Sequence, residues 1–318
     1  MVLALTCVST AAWALEKDGD VYQIGSAADL KAFAQLVNNG ENEANAVLTA
    51  DIVADADQPM IGDDGNRGTN PAGTMPYKGS FDGQNHAITL NWTGDNARTA
   101  DVSGLFRNLA GNVSNLYIDG QIEVAASGIR TGVLAGRLEG ASVITNVVTN
   151  VTVKNAVGGD SACSGLVSRP SSGSSQIINC LVLGDIISET ASNAGGLVGW
   201  NPDNVITNIS NSAVLGIMQV APSSATTPTD LIGRCSSGNM PIKLNNVHYL
   251  LRQENTNVER ILGGAIAIRQ EAVSAEDFEA ALKIIKPSVD DNVFKAYEKM
   301  GTEIKKRKDR WNDVPFYS

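Results

Sequence analysis

The middle of the chain alternates short apolar runs with polar residues, and the pattern returns after roughly thirty residues. Between residues 100 and 250 the segments are short, alternate apolar with polar positions, and end in Gly, Asn or Ser. This alternation is typical of strands separated by turns. No segment here has the length or period of a crossover helix, which argues against Rossmann-like and barrel folds.

Three short motifs share this period. An apolar pair follows Gly at four positions spaced 28, 33 and 31 residues apart, namely Gly104, Gly132, Gly165 and Gly196, and a degraded copy covers 231–233. An Asn recurs at spacings of 31, 33, 32 and 35 residues, at Asn115, Asn146, Asn179, Asn211 and Asn246. A third motif, apolar-x-Gly, closes several turns, at Gly120, Gly184 and Gly216.

These repeats predict a parallel β-helix, a solenoid whose coils stack about 4.8 Å apart. Stacking buries an apolar face that one coil cannot bury alone, and we expect four leucines inside it: Leu105, Leu134, Leu166 and Leu197. The motif glycines are expected to turn the corners through positive φ. The Asn row has two interpretations, a polar track for a ligand or an internal ladder of amides. We expect the internal ladder.

The motifs resemble those of GLUG-repeat proteins. Gly196-Leu197-Val198-Gly199 and Ile177-Ile178-Asn179-Cys180 are similar to the repeat itself, and residues 77–88 are similar to the segment that precedes it. The resemblance covers residues 20–250. It implies a right-handed, pectate-lyase-like β-helix in an exported bacterial surface protein, of the adhesin-like kind or the non-catalytic part of immunoglobulin A-cleaving metallopeptidases.

Both ends of the repeat region carry helical patterns. Residues 26–39 begin with a capping-box-like sequence at Ser26, stop before Gly40, and place one apolar face at Leu30, Phe33, Ala34 and Val37. We expect this helix to cover the first coil and residues 47–52 to form an early strand. Residues 271–318 predict a helical pair on or near the last turn, with Lys305–Lys308 as a solvated basic run.

Three regions are therefore expected. Residues 1–14 are uncharged, mostly apolar, and end in Ala12-Trp13-Ala14, which is typical of a signal peptide cut at a small-x-small site. Residues 15–270 form the β-helix with its N-terminal cap, and residues 271–318 form the helical segment. Secretion or a place on the bacterial cell surface follows from this interpretation. No apolar run is long enough to span a bilayer.

Charge and reactive residues narrow the functional classes. The formal net charge is −10, which disfavours a nucleic-acid partner. Four cysteines, at 7, 163, 180 and 235, leave at most one internal disulfide after export. The histidines are His86 and His248; no HExxH occurs, and His86 is expected to be structural. The acidic residues between Asp51 and Asp64 lack calcium-loop spacing and predict a flexible surface loop.

No catalytic, cofactor-binding or metal-binding residue is assigned from these patterns, and no cofactor is expected. The favoured hypothesis is a non-catalytic exported protein for adhesion, or for binding a surface glycan or a host protein. The alternatives are a carbohydrate-active lyase or glycosidase on the same scaffold, and a purely structural spacer. The ligand and the oligomeric state cannot be read from the sequence.

Overall fold

The computed structural model describes residues 15–63, 75–98, 102–157, 162–188, 193–202, 205–220, 232–235 and 242–249. These residues form a β-solenoid of stacked parallel coils. Five coils are numbered here by their outer bounds: coil 1 covers 80–109, coil 2 covers 112–138, coil 3 covers 143–170, coil 4 covers 174–201, and coil 5 covers 206–235. The predicted fold class is confirmed. The predicted signal peptide and C-terminal helices lie outside the described residues.

Three sheets run along the stack. Sheet 1 has fourteen strands: β1 (Lys17–Asp18), β2 (Val21–Ile24), β3 (Asn45–Leu48), β4 (Ile52–Val53), β5 (Ser80–Asp82), β6 (Ala87–Trp92), β9 (Asn112–Val124), β12 (Val143–Asn155), β15 (Ser174–Ile178), β16 (Leu181–Val182), β17 (Ile186–Ser188), β20 (Ile206–Val214), β21 (Met218–Val220) and β23 (Ile242–Tyr249). Sheet 2 has four strands: β7 (Val102–Ser103), β10 (Arg130–Gly132), β13 (Ala162–Ser164) and β18 (Asn193–Gly195). Sheet 3 has five strands: β8 (Phe106–Leu109), β11 (Ala135–Leu138), β14 (Val167–Pro170), β19 (Val198–Asn201) and β22 (Ile232–Cys235).

Register between coils keeps like side chains above one another. In sheet 1, one row of paired residues runs through Tyr22, Ala46, Phe81, Val113, Ile144, Ile177 and Ile209. The four motif leucines are fully buried, as the repeat predicts. Each buried aliphatic side chain contributes on the order of 1.5–3 kcal/mol, so the continuous interior provides the main driving force for stacking.

The base of the solenoid is closed by the predicted helix, α1 (Ala27–Asn38). Ser26 caps it: its hydroxyl oxygen accepts from the Asp29 backbone N–H at 3.2 Å, and it donates to the Asp29 carboxylate at 2.7 Å. The predicted apolar face is buried, and the Phe33 ring lies 5.9 Å from both the Tyr22 and Tyr77 rings. The early strand differs from the prediction, because sheet 1 divides it into β3 and β4.

Three residues of the Asn row, Asn115, Asn146 and Asn179, form the expected ladder, but on the outside of the solenoid. The Asn146 side-chain amide donates to Asn115 Oδ1 at 2.9 Å, and Asn179 donates to Asn146 Oδ1 at 2.7 Å. Asn146 and Asn179 are exposed, so the prediction of an internal ladder is wrong in its placement. The ladder ends at the Asp82 carboxylate, which accepts a hydrogen bond from the Asn115 side-chain amide at 2.9 Å.

The reason lies in the backbone. All five residues of the row adopt left-handed φ between 48° and 56°. Asn tolerates this conformation better than most residues. The bend shifts the inside–outside alternation by one position: Ile144 and Val147 both face the core, while Thr145 and Asn146 between them do not. Each Asn thus marks a corner where sheet 1 turns without exposing its apolar face.

Gly120 has the positive φ that was predicted for the motif glycines, at 114°, but the glycines that precede the buried leucines have a different role. Gly104 and Gly165 are not among the residues with positive φ. They are required for close approach: a Cβ on Gly104 would lie 2.7 Å from the Gly132 carbonyl oxygen, and one on Gly165 would lie 2.9 Å from the Gly196 carbonyl oxygen. The sequence motif aligns Gly132 with Gly165, but in the structure Gly132 pairs with Ser164. The motif alignment of coil 2 with coil 3 is therefore wrong by one residue.

Leu166→Ala is expected to lower the free energy of unfolding by about 2–5 kcal/mol, because it leaves a cavity in the sealed interior. Leu181→Ala is the matched control: Leu181 is partly exposed on sheet 1, so its loss is expected to be much smaller. Urea denaturation followed by circular dichroism measures both. Equal losses would contradict the assignment of Leu166 to the core.

Asn146→Ala is expected to lower the free energy of unfolding by about 2–4 kcal/mol. It removes two amide hydrogen bonds, and Ala tolerates left-handed φ less well than Asn does. Asn146→Gly relieves the backbone cost and should lose about 1 kcal/mol less. Asn150→Ala, in the same strand at ordinary φ, is the control. The ladder has no energetic role if all three variants unfold at the wild-type urea concentration.

Candidate functional site

A row of basic and aromatic residues runs along sheet 3. Register places Asn108, Arg137 and Arg169 side by side on β8, β11 and β14. Trp200 follows at the same position of β19, and its backbone pairs with Arg234 of β22. Since adjacent strands are about 4.8 Å apart, this row brings long cationic side chains from successive coils to one line.

Two guanidinium groups converge on one indole. The Arg169 Cζ atom lies 4.2 Å from the centre of the Trp200 ring. The Arg130 Cζ atom, which comes from β10 of sheet 2, lies 5.5 Å from the same centre. Three coils and two sheets therefore meet at Trp200. We call Arg130, Arg169 and Trp200 the Arg–Trp cluster.

The contacts of the Arg–Trp cluster are of the cation–π type. A guanidinium near an indole is attracted by the ring quadrupole, with roughly 0.5–1 kcal/mol at exposed sites and more when water is excluded. All three side chains are half-buried, so the cluster is held by the fold yet reaches solvent. A guanidinium that stacks through its face keeps its N–H donors in its own plane, which is the geometry that suits carboxylate, sulfate or phosphate.

Arg137 lies beside Arg169 in the register of sheet 3, in the same coil as Arg130. Only 5% of its surface is exposed. Burial raises the pKa of the nearby Glu139 carboxyl, and the positive charge of Arg137 partly opposes that shift. Because it is buried, Arg137 is not expected to contact a ligand directly.

The segment that spans the cluster is less acidic than the whole chain. Residues 130–200 contain four Lys/Arg and four Asp/Glu, whereas the chain has a net charge of −10. Sequence analysis missed this site. A signal was present, because Arg137, Arg169, Trp200 and Arg234 recur with the period of the repeat, a few residues after each Leu motif.

The acidic residues between Asp51 and Asp63, which precede the first coil, do not form one site. The Asp51 carboxylate lies 3.1 Å from His86 Nδ1 and also accepts from the Ala87 backbone N–H at 3.0 Å. Asp57 accepts a hydrogen bond from Lys31 at 2.6 Å, and this bond lowers the pKa of Asp57. The Asp63 carboxylate lies 3.3 Å from Arg107. In 51–63, each of these three carboxylates thus has its own partner.

Those contacts bear on two predictions. The contact between Asp51 and His86 joins the residues that directly precede β4 and β6, and the structural role expected for His86 stays a prediction. Asp64 of the predicted acidic loop lies outside the described residues. Within the described residues, no three His, Cys, Asp or Glu side chains come together in an arrangement that could hold a metal ion. No helix in the described ranges has the length and hydropathy of a membrane span.

Two of the cysteines are buried thiols. Cys163 and Cys180 are free and almost fully inaccessible, so neither takes part in a disulfide. Burial raises the pKa of both thiols from 9.0 to about 12. Because the thiolate is the reactive form, these groups are expected to be inert in the folded protein.

Comparison with known proteins shows the fold alone. No protein-family model matches the chain, and no curated protein matches it. Among solved structures, that of a putative immunoglobulin A1 protease from Bacteroides ovatus is similar, with a TM-score of 0.57 and 17% sequence identity. The match covers 86% of this chain and 90% of that chain. The GLUG-type resemblance is not confirmed by these comparisons.

In a C7S/C235S variant, the two remaining thiols are expected to react with a disulfide reagent at pH 8 only when the protein unfolds. Since burial holds the folded pKa above the unfolded value, their contribution to stability should be complete below pH 9.0 and decline between pH 9.0 and about 12. Absorbance of the released thiol, with and without urea, measures reactivity. Two fast-reacting thiols in the folded protein would contradict the burial.

Proposed function

We propose that this protein is an exported, non-catalytic surface protein whose β-solenoid binds a glycan or a host surface. The predicted signal peptide motivates export and a place outside the cell. The GLUG-type resemblance supports a bacterial surface protein of the adhesin-like kind. A rigid stack suits this role, because it holds side chains from several coils in fixed positions and so reduces the entropy lost on binding.

The Arg–Trp cluster is the observation that carries this proposal. It combines cationic donors with a large aromatic ring on one side of the solenoid. These groups are suited to recognition rather than to proton transfer, because arginine stays protonated and indole has only a donor N–H. The site would therefore hold a ligand without transforming it.

A second candidate is an enzyme on the same scaffold. The likeness to the Bacteroides ovatus protein, which is described as a putative immunoglobulin A1 protease, favours it. At 17% identity that likeness extends to the fold and not to a mechanism. A glycosidase on this scaffold would need two carboxylates about 5–10 Å apart across a groove.

The folded protein is expected to bind members of a glycan array, or the surface of host epithelial cells, with little change in the ligand during incubation. Trp200→Ala should weaken that binding at least about tenfold, because it removes the ring that positions both guanidiniums. Biolayer interferometry gives the affinity, and mass spectrometry of the incubated glycans and of immunoglobulin A1 detects cleavage.

Three results separate the candidates. Binding without cleavage, weakened by Trp200→Ala, supports a binding protein. Release of shortened glycans or of immunoglobulin fragments would favour the enzyme. The absence of both binding and cleavage would contradict both and leave the structural spacer, provided that circular dichroism shows a folded protein.

A further inference from the structure

We propose that the Arg–Trp cluster selects an acidic saccharide, a glycan that carries carboxylate or sulfate groups, as the ligand of this surface. This inference rests on the proposed binding function and makes it specific. Arg130 and Arg169 would donate hydrogen bonds to the anionic groups, and Trp200 would act as a positioning residue that keeps both guanidiniums in place.

The geometry of the cluster supports an anionic ligand. Arg130 and Arg169 reach the same ring from neighbouring coils, at 5.5 Å and 4.2 Å from its centre. Their association with the indole limits the rotation of two long side chains before any ligand arrives. Part of the entropy cost of ordering them is thereby met by the fold. The forked donors of arginine match the paired oxygens of carboxylate and sulfate better than they match sugar hydroxyls.

The net negative charge of the chain limits the attraction between the cluster and an acidic glycan to short distances. A protein of net charge −10 repels a polyanion at long range. At physiological ionic strength the Debye length is about 8 Å, so distant carboxylates are largely screened from a group that contacts the Arg–Trp cluster. Half-buried charges are screened less. Binding should therefore be short-range, and it should weaken as salt is added.

The same charge balance disfavours a nucleic acid. Duplex DNA carries one negative charge per about 1.7 Å of its axis and is bound by extended basic surfaces. The Arg–Trp cluster offers only two arginines, both half-buried, within an acidic chain. A glycan with more widely spaced acidic groups can place one of them at this site without bringing a dense line of charge against the acidic remainder.

The test compares immobilised polysaccharides that differ in charge. Hyaluronate and polygalacturonate carry carboxylates, chondroitin sulfate and heparin also carry sulfates, and dextran is neutral. We expect the folded protein to bind at least one acidic polymer about tenfold or more tightly than dextran, with affinity that falls between 50 and 500 mM NaCl. Preference for a carboxylate-only polymer or for a sulfated one identifies the acidic group, and either result supports the inference.

Variants locate the site. Arg169→Ala and Arg130→Ala should each weaken binding about tenfold. Arg169→Lys should recover only part of the affinity, because lysine keeps the charge but lacks the planar fork. Lys243→Ala is the matched control, since Lys243 is an exposed cation of β23 on sheet 1; it should change the affinity less than about twofold. Thermal melts confirm that each variant is folded.

The outcomes distinguish this inference from the proposed function. Equal binding of dextran and of the acidic polymers would overturn the acidic-saccharide inference while the glycan-binding function stands. Equal loss of affinity in Lys243→Ala would also overturn it. Binding of single-stranded or duplex DNA as tightly as the acidic glycans would show unselective attraction and overturn it as well. Binding to no glycan and no host surface would remove the proposed function itself.

Discussion

The fold depends on parallel pairing between coils. In a solenoid each backbone N–H and C=O of a strand finds its partner in the coil above or below, so a coil is stable only where its neighbour repeats the same path. This requirement explains why so few residue types recur. Asn recurs where the backbone bends through left-handed φ, and a small or absent side chain recurs where two coils approach closely. Solvent-facing positions with ordinary backbone angles are under no such requirement.

Positions that stacking constrains can be predicted from the sequence, and unconstrained positions cannot. The buried leucines, the α1 face and the Asn row were all found from the sequence, because the stack fixes residue type at those positions. Their physical roles were harder to assign. A repeated Gly suggests a turn, yet Gly165 serves a close approach. A repeated Asn suggests a buried ladder, yet Asn146 lies on a corner where bending puts two successive side chains outside.

The Arg–Trp cluster was missed because stacking does not fix the residue type at its positions. Arg169 and Trp200 occupy equivalent positions of successive coils but differ in residue type, so the position repeats and the identity does not. The one-residue displacement in aligning coil 2 also concealed that Arg137 and Arg169 occupy equivalent positions. Only coordinates show that Arg130, from another sheet, meets the same indole. A search for recurring position rather than recurring residue would have found the row on sheet 3, but not Arg130.

The amide ladder has a further consequence for how such a protein changes over evolutionary time. From Asn179 to Asp82 each amide donates toward the preceding coil, and Asn146 and Asn115 also accept from the following coil, so this run of amides has a polarity and no internal terminus. A duplicated coil spliced between two existing ones would find a donor on one side and an acceptor on the other. The molecule can therefore lengthen or shorten by whole repeats, while a gain or loss of a few residues would break the continuity of the amides.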